Sequence, residues 1–452
     1  MPSQPKYGTV RLDKSPYSTI VASFKFIRLL DLHNIGIKTI PSSIKKLKHL
    51  RYLDLSENGD IEMLPNSIVK LHNLQTLKLS DCSSLKELPR DINKLVNLRH
   101  LEIDECLGLT HMPCGLGQLT DLHTLSQFVM SKDTVGSVAR INGGLKELQE
   151  LNKLSGNLSI ENLRHGKDAA LESKFANLKA KQRLDSLSLS WNQIEEDFDE
   201  AGVGYDEMSL EALQPQPNLK ALNLENYGGV SFPSWVLSLT SLVRFGLFSC
   251  KKCQHLPPLD QFSSLKSLQL THLYSLEYID KSEEGLSDSS FLPSLEELRI
   301  THCPNLKGWW RGRRDSVEEI GITTPITSNP LNYSFPRLSS LTIINCPQLT
   351  YMPPFPYLEE LSLEQCSLKA LEQTMRMGMI NMTASPSISS SSSIPSFAPL
   401  SKLNYLEIHD MDEALPEELL RNLISLRTLF LEKCPLPPQG MRYLTALQSL
   451  NV

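Results

Sequence analysis

The segment CKKCQH, residues 250–255, is the strongest metal-ligand pattern in the chain. Two cysteines at this spacing supply half of a tetrahedral zinc site, which normally takes its remaining ligands from a second pair. Cys250, however, recurs at a sequence position that six other cysteines share, so its place is explained without a metal. We therefore predict no metal site here.

The segment WWRGRR, residues 309–314, has the basic and aromatic composition of a nucleic-acid contact. Aligning CPNLKGW with CPQLTYM places Trp309 at the inward position that Met352 holds, which predicts a core tryptophan followed by a solvated basic loop. The acidic residues within 195–200 lack the D-x-D-x-D-G spacing of a calcium loop. A formal net charge of −6 gives no electrostatic reason to expect nucleic acid.

Signatures of catalysis and of membrane insertion are absent from the sequence. There is no H-E-x-x-H and no G-x-x-x-x-G-K-[ST], because HGKDAA at 165–170 lacks the first glycine and the final hydroxyl residue. No run of about 18 apolar residues exists. We predict a chain that is not an enzyme, with no catalytic residues, no cofactor and no membrane span.

A repeat of 24 residues determines where side chains such as Cys250 and Trp309 lie. The segment LRYLDLSENGDIEMLPNSIVKLHN, residues 50–73, is followed in register by LQTLKLSDCSSLKELPRDINKLVN and LRHLEIDECLGLTHMPCGLGQLTD. This is the leucine-rich-repeat signature. Alternation points Leu53 and Leu55 inward. Since no unit buries its apolar face alone, we predict an α/β repeat solenoid. Its horseshoe would carry a parallel β-sheet on the concave face and irregular or short helical segments on the convex side.

Sixteen strands and a row of thiols follow from the repeat. The strands are predicted to begin near Ile27, Leu50, Leu74, Leu98, Leu122, Gly156, Leu184, Leu219, Leu242, Leu265, Leu295, Leu338, Leu358, Leu403, Leu426 and Leu447. Seven of the nine cysteines sit eight residues after a strand-opening apolar residue: Cys82, Cys106, Cys250, Cys303, Cys346, Cys366 and Cys434. This position indicates buried, reduced thiols. Asn58 at the same position should hydrogen-bond the neighbouring turns.

Irregular segments divide the array. We expect a lead-in or truncated domain junction at 1–23, regular repeats at 24–125 and irregular repeats with a helical connection at 126–183. Further repeats follow at 184–382, with loops at 193–211 and 311–335, then a Ser-rich flexible loop at 383–399 and C-terminal repeats at 400–452.

Six longer segments resemble the leucine-rich-repeat region of plant intracellular disease-resistance receptors of the coiled-coil nucleotide-binding class. They are IRLLDLHNIGIKTIPSSIKKLKHLRYLDLS at 27–56, LSGNLSIENL at 154–163, LQPQPNLKALNLENYGGVSFPSWV at 213–236, LPPLDQFSSLKSLQL at 256–270, FLPSLEELRITHCPNLKGWWR at 291–311 and LPEELLRNLISLRTLFLEKCP at 415–435. The order of the segments also matches that family.

The resemblance implies a recognition domain in plant innate immunity. In that family the repeats bind a pathogen effector or a guarded host protein, and they restrain a nucleotide-binding domain until then. The repeats here begin almost at Met1, so nucleotide binding is not carried over. We expect cytoplasmic localisation, with the nucleus or a membrane surface as alternatives. The alternative function is a free-standing repeat scaffold or adaptor that binds host signalling proteins.

Outward strand positions are the candidate protein-binding residues, because the core does not need their side chains. In the early repeats they are Arg51, Tyr52, Asp54, Glu57, Lys78, Asp81, Arg99, His100, Glu102, Asp104 and Glu105, and in the late repeats Arg299, Glu359, Glu360, Glu364, Tyr405, Arg427 and Phe430. The basic first repeats suggest an intramolecular contact with a nucleotide-binding domain through Lys45, Lys46 and Lys48.

Overall fold

Parallel strands, one in each repeat, form the framework of the chain in a computed structural model. The structure describes residues 24–132, 142–165, 167–193, 200–280, 291–310, 335–353, 355, 357–372, 400–411, 413–435 and 440–452. The expected lead-in at 1–23, the Ser-rich loop at 383–399 and all but the last residue of the loop at 311–335 lie outside these ranges. The chain divides into two units, residues 1–219 and 220–452.

The described part of the first unit contains ten strands and two α-helices. The strands are β1 Leu29–Asp31, β2 Tyr52–Asp54, β3 Thr76–Lys78, β4 His100–Glu102, β5 Met112–Pro113, β6 Thr124–Leu125, β7 Gln127–Val129, β8 Asn142–Gly143, β9 Ser155–Leu163 and β10 Arg183–Trp191. The helices are α1 Lys167–Ser173 and α2 Glu200–Ala212. Strands β1, β2, β3, β4 and β6 form one parallel sheet in that order, and β9 lies between β7 and β10 in another. The short β5 and β8 pair antiparallel.

Eleven strands and two α-helices are described in the second unit. The strands are β11 Ala221–Glu225, β12 Arg244–Phe248, β13 Ser267–Thr271, β14 Tyr278–Asp280, β15 Glu297–Thr301, β16 Gly308–Trp310, β17 Ser340–Ile344, β18 Glu360–Glu364, β19 Tyr405–His409, β20 Thr428–Glu432 and β21 Ser449–Asn451. The helices are α3 Ser234–Leu237 and α4 Glu417–Asn422. All strands but β14 and β16 pair in chain order in a parallel sheet, and those two pair with each other.

The strands confirm the predicted repeat pattern. Each of the sixteen predicted strands is present and begins within two residues of its predicted start. Leu53 and Leu55, the inward residues of the second repeat, are completely buried. In-register parallel pairing stacks equivalent residues, as in Leu30, Leu53 and Leu77 on consecutive strands. The leucines of successive repeats therefore form one continuous core within each unit.

Short 3-10 turns close the far side of the repeats. They lie at Ser42–Lys46, Asn66–Lys70, Ile92–Lys94, Leu116–Gln118, Leu145–Leu148, Lys174–Ala176, Leu178–Ala180, Leu259–Gln261 and Gly440–Tyr443. Pro41 and Pro65 precede the first two turns. Proline is tolerated there because no hydrogen bond from its backbone N–H is required. Ile44 and Ile68 from these turns are buried. The turns thus supply the second half of the core, as the repeat pattern predicts.

Residue 58 ties two repeats together through its side-chain amide. Asn58 Oδ1 accepts hydrogen bonds from the backbone N–H groups of Ile35 and Ile37, at 3.3 and 2.9 Å. Its Nδ2 donates to the carbonyls of Leu32 and Leu55, at 2.9 and 2.8 Å. The predicted role of this asparagine is confirmed. At the same position in the next two repeats, Cys82 and Cys106 sulfurs contact a preceding repeat's carbonyl.

Two features differ from the expectations. Helix α2, Glu200–Ala212, occupies most of the loop expected at 193–211, and it packs beside α1 with Ser209 Oγ 2.7 Å from Ser173 Oγ. Its acidic, glycine-containing sequence disfavours a helix locally, so the tertiary contacts decide. Five further strands, β5, β7, β8, β14 and β16, have no counterpart in the predicted set.

Within the described ranges, no helix is long and apolar enough to cross a membrane.

Candidate functional site

The sheet face, the side of each parallel sheet whose side chains point away from the leucine core, carries most of the candidate residues. On β2, β3 and β4 the register aligns Tyr52 with Thr76 and His100, and Asp54 with Lys78 and Glu102. Equivalent positions on neighbouring strands lie about 4.8 Å apart. The structure therefore brings five of the predicted residues together as one patch in the first unit.

Charges in this patch are stabilised by one ion pair and by hydrogen bonds. Lys78 Nζ lies 2.8 Å from Glu102 Oε2, and this hydrogen bond raises the pKa of Lys78. Tyr52 Oη donates to Asp54 Oδ2 at 2.9 Å. Burial alone would raise the pKa of Asp54. Hydrogen bonds from Ser56 and Tyr52, together with the charge of Lys78, outweigh this effect, so the pKa of Asp54 is lowered. Asp54 is only 9% exposed, so its side chain supports the patch more than it offers contact.

His100 completes the patch at the next strand. Its Nδ1 lies 2.9 Å from Thr124 Oγ1, and its ring centroid lies 6.1 Å from that of His123. Burial, followed by the charge of His123, lowers the pKa of His100. This imidazole is therefore held mainly neutral, as a hydrogen-bonding group rather than a cation.

The remaining early candidates lie just before or just after the strands of the sheet. Arg51 and Arg99 are exposed just before their strands begin. Glu57, Asp81 and Glu105 follow the strands and have positive φ, at 59°, 60° and 55°. This left-handed conformation turns the chain out of the sheet and recurs after most strands. Asp104, also exposed, precedes the last of these turns.

The late candidates gather on β18, β19 and β20. Glu360 aligns with Tyr405, and Glu364 with His409, while Phe430 aligns with Glu407. The other late candidates are exposed at more distant sheet positions or before a strand: Arg299, Glu359 and Arg427. Three residues of this patch were missed from the sequence, Glu407, His409 and Glu432. The same strand alternation that selected Tyr405 and Phe430 would have found them.

The lysines proposed for an intramolecular contact do not lie on a strand. Lys45 and Lys46 end the 3-10 turn Ser42–Lys46, and Lys48 follows it. All three are exposed, and no ion pair joins them to a described residue. They are available to a partner on the far side of the first repeats.

Cys250 and Cys253 are buried core thiols. Burial raises the pKa of Cys253 to about 12, and its sulfur contacts the His255 carbonyl at 3.5 Å. Among the described residues no group of three or more metal-ligating side chains comes together. Trp309 is completely buried, as the repeat alignment predicts.

Comparisons with known proteins agree with this architecture. A family model described as R13L1/DRL21 leucine-rich repeats matches residues 145–273, and one described as Zer-1-like leucine-rich repeats matches residues 41–112. A leucine-rich-repeat protein of Leptospira interrogans has a TM-score of 0.53 at 22% identity over 96% of this chain and 97% of its own, which supports the fold alone.

Curated relatives come from plants. The candidate disease resistance protein RGA1 of Solanum bulbocastanum is 40% identical over 92% of this chain, and a candidate disease resistance protein of Arabidopsis thaliana is 35% identical over 86%. Disease resistance protein RGA2 of Solanum bulbocastanum is 34% identical over 51%. The chain spans 37%, 26% and 21% of the lengths of these three relatives.

Proposed function

Because this chain carries the leucine-rich repeats of the plant disease resistance proteins, we propose that it is a non-enzymatic protein-recognition domain of plant innate immunity. Its partner would be a pathogen effector or a host protein that the receptor guards. The nine free thiols agree with a reducing compartment, and the proposed location is the cytoplasm.

The observation that carries this proposal is the chemistry of the sheet faces. The inward leucines supply the core, so the outward Tyr52, His100, Tyr405 and Phe430 are not needed for it. Each of these four side chains is half-buried on its sheet face, next to charged residues. Aromatic and charged groups on a rigid face are the usual anchors of a protein interface.

A receptor chimera tests the proposal. The chain is placed after the coiled-coil and nucleotide-binding domains of a related receptor and expressed in leaf tissue with a panel of pathogen effectors, and cell death is scored. We expect at least one effector to give a response. Tyr52→Ala with Arg99→Glu, or Tyr405→Ala with Phe430→Ala, should weaken it at equal protein accumulation. A response that both sheet-face variants leave intact would contradict the proposed site.

We also propose that, in a longer receptor, the first repeats restrain the nucleotide-binding domain through the exposed Lys45, Lys46 and Lys48. Charge reversal of all three to glutamate should release part of this restraint and give cell death without an effector. A matched control reverses three other exposed lysines, Lys174, Lys179 and Lys251. Equal behaviour of the two triple variants would refute a specific contact.

A further inference from the structure

The sheet face of β18, β19 and β20, called here the acidic aromatic face, has an unusual order of side chains. Glu360 lies beside Tyr405, and Glu407 lies beside Phe430. His409 lies between Glu364 and Glu432. Carboxylates and rings are therefore neighbours across the strands, and Ser362 and Thr428 fill the two remaining outward positions.

Negative charge on this face lacks the compensation that the first unit has. In the first unit Lys78 lies in the middle of the patch and pairs with Glu102 at 2.8 Å. The acidic aromatic face has four glutamates but neither lysine nor arginine among its outward strand positions. Among the described residues, His409 is the basic side chain that contacts them, with its ring nitrogens 3.0 Å from Glu407 and 3.3 Å from Glu432. Four carboxylates on three neighbouring strands give the face a negative potential that a cationic partner would complement.

Aromatic rings give the face a second affinity for cations. Tyr405 and Phe430 are half-buried, and the Phe430 ring centroid lies 5.1 Å from that of His409. Burial, then the neighbouring Glu407 and Glu360, raises the pKa of Tyr405, which keeps the phenol protonated. A guanidinium can stack on such a ring while it hydrogen-bonds an adjacent carboxylate.

The borders of the face limit the shape of the partner. On one side β17 presents Ser340, Thr342 and Ile344, and on the other β21 presents Ser449 and Asn451, none of them charged. The charged region is thus three strands wide, about 10 Å between the outer strands. Along each strand, outward residues repeat at about 7 Å, which is also the spacing of alternate side chains in an extended peptide.

We propose that the acidic aromatic face binds an extended, cationic segment of a partner protein with arginines at alternate positions. This inference rests on the proposed recognition function and names the chemistry of its partner. The arginines would lie between Tyr405, Phe430 and the glutamates, while the uncharged residues between them would point away from the sheet.

A synthetic peptide tests the inference on the full chain. The probe is an acetylated ten-residue peptide of alternating arginine and serine, and its binding is measured by calorimetry at 50 mM and 150 mM salt. A peptide with its five arginines contiguous tests the spacing, and a glutamate–serine peptide tests the charge. We expect the alternating arginine peptide to bind most tightly, with affinity falling as salt rises.

Variants of the face connect binding to its side chains. Glu360→Gln with Glu407→Gln should weaken binding about tenfold or more, and Phe430→Ala about two- to fivefold. The control Asp260→Asn removes an exposed carboxylate elsewhere in the second unit and should change little. Thermal unfolding by circular dichroism verifies that the isosteric glutamine variants are folded.

Three results would overturn the inference. One is equal affinity for the alternating and contiguous peptides, and another is equal weakening by Asp260→Asn and the glutamine variants. The third is concentration-dependent self-association that the glutamine variants abolish, because the occupant would then be a second copy of the chain. If the peptide fails but Tyr405→Ala with Phe430→Ala still weakens the effector response, only the arginine inference fails. If the response is also insensitive to these substitutions, the proposed recognition role of this face fails with it.

Discussion

Replacement of Asn58 by alanine tests how the repeats are joined. The side chain is 1% exposed and forms hydrogen bonds with five backbone groups of two repeats. Two of these hydrogen bonds, with the Ile37 N–H and the Leu55 carbonyl, are fully buried. A buried polar group left without a partner costs about 1–3 kcal/mol, so Asn58→Ala should cost about 4 kcal/mol. In a repeat array this loss should stay local to the first repeats.

Hydrogen exchange measured by mass spectrometry reads out that local loss. About 4 kcal/mol corresponds to roughly a thousandfold faster exchange through local opening, limited by the global stability. Peptides covering residues 29–57 should show this faster exchange, while peptides from the second unit should exchange as in the parent chain. Asn58→Cys is the matched control, because cysteine occupies this position in the next two repeats, and it should be less damaging. If Asn58→Ala leaves exchange within about threefold of the parent chain, the amide does not hold the repeats together.

Three further predictions concern buried groups. Burial lowers the pKa of Lys181 from 10.5 to about 8, so between these pH values the folded chain holds fewer protons than the unfolded chain. The contribution of Lys181 to urea stability should therefore rise by about 3 kcal/mol across that window. It is read as the difference between the parent chain and Lys181→Met at each pH, because the buried cysteines with raised pKa lower the stability of both chains equally as the pH rises. A Cβ on Gly108 would lie 2.7 Å from a backbone oxygen, so Gly108→Ala should cost about 1–3 kcal/mol in the same assay, and Gly59→Ala, which meets only a serine hydroxyl at 3.2 Å, clearly less. Burial raises the pKa of Cys106 to about 12, whereas Cys114 is exposed, so iodoacetamide at pH 8 should modify Cys114 first, and equal rates by peptide mass spectrometry would contradict this.

The repeat framework was predictable because its interactions are local and periodic. Each strand pairs with the strand of the neighbouring repeat, so the spacing of leucines sets both the strand positions and the inward face. The same regularity identified Asn58 and five buried cysteines, whereas Cys366 and Cys434, also predicted to be buried, are only half-buried. Trp309 could be placed in the core by aligning one repeat with the next.

The missed elements depend on contacts that no single repeat contains. Helix α2 has a locally unfavourable sequence and is held beside α1. Strand β16 passes so close to Tyr351 that a Cβ on Gly308 would lie 2.3 Å from the ring. Tyr351 Oη also exchanges hydrogen bonds with the backbone of Trp310, at 2.7 and 3.0 Å. These pairings join distant residues, and sequence spacing does not encode them.

Strand alternation gave the sheet-face residues but not their electrostatics. The sequence placed Asp54, Lys78 and Glu102 outward without showing that Lys78 and Glu102 pair or that Asp54 is largely covered. It also could not show that His409 lies between two glutamates of the acidic aromatic face. Which charges cancel depends on the register between strands that lie 23 to 45 residues apart in the sequence.

The most direct test of the recognition proposal is a footprint of a responding effector on this chain. Hydrogen exchange is measured by mass spectrometry with and without the purified effector. The account predicts protection in peptides that contain the sheet strands, and not in the 3-10 turns on the far side. Protection confined to the far-side turns, with the sheet strands unchanged, would contradict the claim that the sheet face recognises the partner.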